Sequence, residues 1–181
     1  GLVGSALVEA LEGAGNSVVR LVRRAPGANE VRWDAAGELD PAGLEGIDAV
    51  VHLAGESIAQ RWTPAAKDRI LRSRAQGTRT LATALTQARR PPRVLVSASA
   101  IGIYGSNRGD EVLREDSAPG GDFLADVTRQ WEAATEPASR AGIRVVLPRI
   151  GVVLSPRGGA LAKMLPPFRM GLGGRLGSGQ Q

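Results

Sequence analysis

Short apolar runs of strand length alternate along this chain with segments of helical periodicity, and that alternation restricts the fold more than any other feature. Residues 17–22, 48–55, 93–98 and 143–147 are short, rich in Val, Ile and Leu and followed by turn residues, so each reads as a strand. Ahead of the first, Leu2, Val3, Ala6, Leu7 and Leu11 fall on one helical face that Gly13 and Gly15 terminate. Thr63 and Pro64 make a cap and first turn for a helix running through Leu85 to a stop at Pro91 and Pro92, and residues 123–140 form another helix, disturbed at Pro137. Strand and helix in this order predict an α/β domain, a doubly wound parallel sheet with right-handed crossovers, whose ligands bind beyond the carboxyl ends of the strands. The run 48–55 is apolar throughout, as expected of a strand buried on both faces.

Composition narrows the function classes. At 181 residues one domain is expected. No apolar run approaches the roughly 20 residues of a membrane span, so no membrane partner is expected. The absence of cysteine excludes a disulfide framework, a thiolate nucleophile and a cysteine metal site, and makes the cytoplasm the expected location. A net charge of +5 favours anionic partners. The basic residues are scattered and aromatics are 3% of the chain, so nucleic acid is not the expected partner and a phosphate-bearing small ligand is. The opening at Gly1 runs straight into a helix and the chain closes in a glycine-rich stretch, so an upstream first strand and a downstream continuation are expected.

Chemistry is expected at the strand ends. Gly1-x-x-Gly4 at the head of a helix lets the backbone, with its free amides and positive dipole end, approach a pyrophosphate; a tight turn or a packing contact is the other reading. Arg23 and Arg24 end the second strand of such a unit, where a dinucleotide's adenosine ribose lies. An acid there would take the free 2′-hydroxyl of NAD, whereas arginine suits the 2′-phosphate of NADP; a solvated pair of loop cations is the alternative. His52, the only histidine, reads as a packed or hydrogen-bonded strand residue rather than a catalyst.

Together with these, the order His52-Leu53-Ala54-Gly55-Glu56, Ser73-Arg74, Ser97-Ala98-Ser99-Ala100, Tyr104-Gly105, Trp131-Glu132, Arg149-Ile150-Gly151-Val152-Val153-Leu154 and Gly158-Gly159-Ala160-Leu161 resembles the extended short-chain dehydrogenase/reductase superfamily. The likeness is to its poorly characterised "epimerase family" branch, related to nucleotide-sugar epimerases, and spans nearly the whole chain. The segment 161–168 followed by Gly171-Leu172-Gly173-Gly174 is especially similar to that branch. The resemblance implies a Rossmann-type NAD(P)-binding domain over residues 1–155 and the start of a small substrate region over 156–181. It implies that Gly1, Leu2, Val3 and Gly4 line the pyrophosphate and Arg23, with Arg24 beside it, meets the 2′-phosphate. It implies further that Leu53, Ala54 and Gly55 pass beneath the adenosine half, that Ser97, Ala98 and Ser99 approach the nicotinamide, and that the loop after Arg149, with Gly151, closes over it. Ser97 and Ser99 could instead cap a strand end.

The superfamily's Ser, Tyr and Lys are incomplete. Phe123 and Val127 occupy the places of the tyrosine and the lysine, and neither moves a proton. Ser99 remains as a hydrogen-bond donor to a substrate oxygen, and Tyr104, the only tyrosine, is the first choice for the acid, with a packing role as its alternative; Asp126, Glu132 and Lys163 are weaker choices. Trp131 is expected to pack its helix onto the sheet and Glu132 to satisfy a nearby loop or arginine. The leading expectation is an NADP(H)-dependent oxidoreductase or epimerase acting on an unknown small carbonyl or alcohol substrate. A silent dinucleotide-binding sensor is the second. Pairing into a homodimer through the helix from Thr63 is an open expectation.

Overall fold

The computed structural model of the chain describes residues 1–34, 37, 39–106 and 108–175. In chain order its elements are α1 (Leu2–Gly13), β1 (Arg20–Val22), β2 (Glu30–Arg32), a 3₁₀ turn (Pro41–Leu44), β3 (Ala49–His52), α2 (Pro64–Gln87), β4 (Val94–Ser97), β5 (Ser99–Ala100), a second 3₁₀ turn (Ile101–Tyr104), α3 (Phe123–Ala133), α4 (Glu136–Arg140), β6 (Arg144–Val146), β7 (Arg149–Ile150) and α5 (Gly159–Arg169). They fall into two compact units, Val18–Gly151 and Gly1–Ser17 with Val152–Gln181. Residues 176–181 of the expected C-terminal region lie outside the described residues.

Within Val18–Gly151 every strand pairing is parallel: β1 with β2, β3 with β4 and β4 with β6, and β5 with β7. This is the Rossmann-like α/β class read from the sequence. Helix α2 is fixed where its sequence says: the Thr63 hydroxyl accepts from the Ala66 amide and Pro64 occupies the first turn. Its buried positions, Ala66, Ile70, Gly77, Thr78, Leu81, Ala82, Ala84 and Leu85, recur at helical spacing. Leu81 and Leu85 meet Val50 and Leu95 of the sheet in a core that also takes Trp33, Leu44 and Ile143. Each such leucine contributes about 1.5–3 kcal/mol by leaving water.

Three differences from the sequence reading have physical causes. The single helix expected over 123–140 is two, because Pro137 has no N–H to give and its ring would strike the Ala133 carbonyl, so α3 ends at Ala133 and α4 restarts at Glu136. β3 alternates, with Val50 and His52 buried and Ala49 and Val51 exposed, because the helices of this unit cover one face of its sheet. β2 was not foreseen: Glu30 and Arg32 flank one apolar residue, and the strand is made by its pairing with β1 rather than by its composition.

In the smaller unit α1 has the expected bounds, and the Asn16 amide and side chain close its end on the Leu11 carbonyl at 3.0 and 3.1 Å. The 161–168 segment is helical, forming most of α5, whose first turn lies against Leu2. Among the described residues no helix is long and apolar enough to cross a membrane.

Candidate functional site

β4 stops at Ser97 and pairing resumes at Ser99, where the Ser99 amide donates to the Pro148 carbonyl at 2.9 Å. β5 then runs beside β7 in a register that sets Ser99 next to Arg149. Below them lies Glu132, near the end of α3. Its carboxylate accepts from Arg149 Nε at 3.0 Å and Nη2 at 3.1 Å, a two-point ion pair, and from the Ser99 hydroxyl at 2.5 Å. The remaining Arg149 nitrogen, Nη1, donates to the Tyr104 hydroxyl at 2.9 Å and to the Glu115 carbonyl at 2.7 Å, and the guanidinium also lies 5.2 Å from the centre of the Tyr104 ring. The Glu132 carboxylate first, and the Tyr104 hydroxyl second, raise the Arg149 pKa further above its ordinary value, so the cation is permanent.

The chain around Tyr104 is held as tightly. A Cβ on Gly120 would fall 2.5 Å from the Gly105 Cα and 2.7 Å from the Tyr104 carbonyl oxygen, so this backbone crossing admits only glycine. Arg108 donates to the Tyr104 and Ala118 carbonyls at 3.2 and 3.0 Å, and Asp122 caps α3 through the Ala125 amide while accepting from the Ser106 amide and hydroxyl. The Ala125 amide, ahead of the Ser106 groups, holds the Asp122 carboxyl below its ordinary range.

Ser99, Tyr104 and Arg149 are thus brought into one hydrogen-bonded cluster, with Glu132 at its centre. Glu132, expected to satisfy a nearby loop or arginine, does bind an arginine, but its central place depends on two partners from distant segments, Ser99 and Arg149, which no local pattern reveals. Proton accounting separates Ser99 from Tyr104. The Ser99 hydrogen is committed to Glu132, whereas Tyr104 accepts from Arg149 and its own hydrogen finds no acceptor among the described residues.

Other expected residues lie apart. Ser97 and His52 are register partners and both are buried; the Ser97 hydroxyl has no partner among the described residues. His52 meets the Thr78 hydroxyl at 3.0 Å and the edge of Trp33, and burial pushes its pKa down to about 4, so it is the packed residue anticipated. Ala98 is buried and gives its amide to the His52 carbonyl. Val127 is buried in the core, and Phe123 sits against Trp62 with the Lys67 ammonium 4.9 Å from its ring centre. Gly151 is exposed at the exit of β7, beside Ile101.

Two features bear on whether a dinucleotide suits these residues. In the smaller unit, α1 has Gly1 as its cap residue, no side-chain cap and no acidic residue in its first turn, so the amides of Leu2, Val3 and Gly4 are free to meet an anion. In the larger unit, Arg24 is spent on Glu30 through bonds of 2.6 and 2.7 Å, while Arg23 is exposed and makes no ion pair among the described residues. Of the two arginines expected at the ribose, Arg23 is therefore the one available. Each feature, within its own unit, fits a phosphate group.

The family model described as "NAD dependent epimerase/dehydratase family" matches residues 1–173. The chain belongs to that family. Family members similar to it include epimerase family proteins of Mycobacterium bovis, 48% identical, and of Homo sapiens, 39% identical; the whole chain aligns with 60% and 61% of those proteins respectively. The chain therefore spans about three fifths of the curated relatives it matches. Among solved structures, that of the human epimerase family protein SDR39U1 with NADPH superposes with a TM-score of 0.86 at 38% identity, over the whole chain and 61% of that one. A nucleoside-diphosphate sugar epimerase from Corynebacterium glutamicum gives a TM-score of 0.86 at 43% identity, over 98% of this chain and 37% of the other.

Proposed function

We propose that this chain is the dinucleotide-binding part of an NADP(H)-dependent oxidoreductase or epimerase acting on a small carbonyl or alcohol substrate. The cluster of Ser99, Glu132, Arg149 and Tyr104 carries the reading, supported by the NADPH bound to the human relative. A bound nicotinamide would supply or accept a hydride. Toward it, the first-turn amides of α1 take the diphosphate, Arg23 takes the 2′-phosphate, and Leu53, Ala54 and Gly55 support the adenosine half.

The residues of the chain supply the proton. A carbonyl becoming an alcohol needs a donor at its oxygen, and in the cluster only Tyr104 has an uncommitted hydrogen. As it leaves, the phenol oxygen stays against the Arg149 guanidinium, 2.9 Å away. Ser99, its hydrogen held by Glu132, offers lone pairs and so receives a substrate hydroxyl, which suits the reverse direction. Glu132 touches no substrate in this scheme and orients Ser99 and Arg149.

The test is a titration with NADPH followed by a panel of ketones, aldehydes and nucleotide sugars. Binding with turnover is expected, and Tyr104→Phe should lower turnover about 10²–10⁴-fold while NADPH affinity holds. Unchanged turnover would remove Tyr104 from the chemistry. A second reading, a dinucleotide-binding sensor without turnover, is favoured by Phe123 and Val127 at the places of the usual tyrosine and lysine. Tight NADPH binding with no turnover across the panel would select it.

A further inference from the structure

Arg74 lies outside the cluster, yet it is placed with unusual constraint for a residue with no carboxylate at salt-bridge distance among the described residues. From the middle of α2 its half-buried guanidinium reaches the loop that leaves β3. Nη1 donates to the Glu56 carbonyl at 2.9 Å and to the Ile70 carbonyl at 3.3 Å. The guanidinium carbon stands 5.1 Å from the centre of the Trp131 ring. On the side facing the loop it lies directly on Gly55. A Cβ there would meet the Arg74 Cζ, Nη2 and Nη1 at 3.1, 3.2 and 3.3 Å, and no other atom stands as near. The preceding residue completes the grip, because the Ser73 hydroxyl accepts the Glu56 amide at 2.9 Å. Both backbone groups of Glu56 are thus tied to consecutive residues of α2.

A rigid floor is what a loop needs if it is to present its backbone to a ligand at fixed distance, and partial burial of a cation that no carboxylate bonds directly costs free energy that a solvated surface arginine would avoid. Burial lowers the Arg74 pKa from its ordinary value, against the opposing pull of the Glu56 charge. That cost is offset if the position serves binding. Trp131 adds a second consequence, since the next residue on α3 is Glu132, so one guanidinium contacts both the loop and the stretch of helix that organises Ser99 and Arg149.

We infer that Arg74 is a positioning residue for dinucleotide binding: wedged between Gly55 and the Trp131 ring, it sets the height of the Leu53–Gly55 backbone that carries the adenosine half. The inference rests on the proposed function, because it assumes that this loop receives a dinucleotide. It also gives the glycine a role: a Cβ at position 55 would push the guanidinium away by a few tenths of an ångström.

The experiment compares NADPH affinity, by fluorescence titration, among the wild type, Arg74→Met, Arg74→Lys, Gly55→Ala and the Gly55→Ala/Arg74→Met double variant, with thermal unfolding of each. Arg74→Met and Gly55→Ala are each expected to weaken NADPH binding about tenfold, the scale of one charge-assisted hydrogen bond. Lysine should not restore binding, since a single ammonium cannot hold the Glu56 carbonyl and cover the indole face together. The double variant should bind no more weakly than Arg74→Met alone, because the added methyl then has nothing to displace; a general loosening of the fold would instead make the losses add. Should Arg74→Met fail to fold, Gly55→Ala, a single methyl on an exposed loop residue, decides the matter by itself. A wild type that binds NADPH while Gly55→Ala and Arg74→Met bind equally well overturns the positioning role alone. A wild type that ignores NADPH overturns the proposed function and this role with it.

Discussion

Replacing Glu132 by glutamine is the sharpest perturbation of the cluster, because it keeps shape and removes charge. Glu132 accepts two Arg149 hydrogen bonds and the Ser99 hydroxyl, and the ion-paired side chains are 14% and 21% exposed. Removing one member of a fully buried pair costs about 3–5 kcal/mol, since the other charge is left desolvated. The residual exposure lets water reach part of Arg149, and the amide oxygen can still accept one bond, so the expected loss is about 2 kcal/mol. For a protein of this size that lowers the melting temperature by about 4–8 °C. Urea unfolding of the wild type, Glu132→Gln, Arg149→Met and the double variant measures it directly. A coupling energy above about 1 kcal/mol between the two positions is expected. Additive losses, or a Glu132→Gln effect under about 0.5 kcal/mol, would show that the pair is a surface ornament and that Ser99 and Tyr104 are not held by it.

Two further outcomes follow from buried and capping groups. His52 has a folded pKa of about 4 against 6.5 in the unfolded chain, so the unfolded state takes up the proton first; stability is full above pH 6.5 and falls by about 3 kcal/mol as pH drops to 4, and His52→Gln should flatten that part of the urea-stability profile. Asp122→Ala removes the α3 cap and the anchor of Ser106, which should cost about 1 kcal/mol in thermal unfolding and hasten amide exchange at Ala125 and Ser106.

The fold was legible where local physics decides it. Thr63-Pro64 fixed the start of α2, apolar runs located β3, β4 and β6, and Pro137 marked a disturbance in the 123–140 helix without showing that it becomes two. β2, β5 and β7 were not legible, because two or three residues become a strand only when a partner from elsewhere in the chain lines up beside them. The site shows the same division. Tyr104 could be named from its place beyond a strand end, and Ser99 and Arg149 from the family resemblance, yet the fact that joins them, a carboxylate receiving two of them, is a long-range contact that no spacing encodes. Ser97 and Ser99 are both buried, and only the contacts of the fold separate them: the Ser99 hydroxyl meets Glu132, whereas that of Ser97 has no partner among the described residues. Arg74 escaped notice as a site residue because nothing in a helical sequence reveals that its side chain will reach back to the loop before the helix.

Whether the free amides of α1 and the Arg23 guanidinium hold a phosphorylated dinucleotide is decided by calorimetric titration with NADPH and NADH. Saturable heat with NADPH, weaker binding of NADH, and a loss of that preference in Arg23→Ala while NADH binding is unchanged are the expected results. Absence of heat with either nucleotide would contradict the proposed binding.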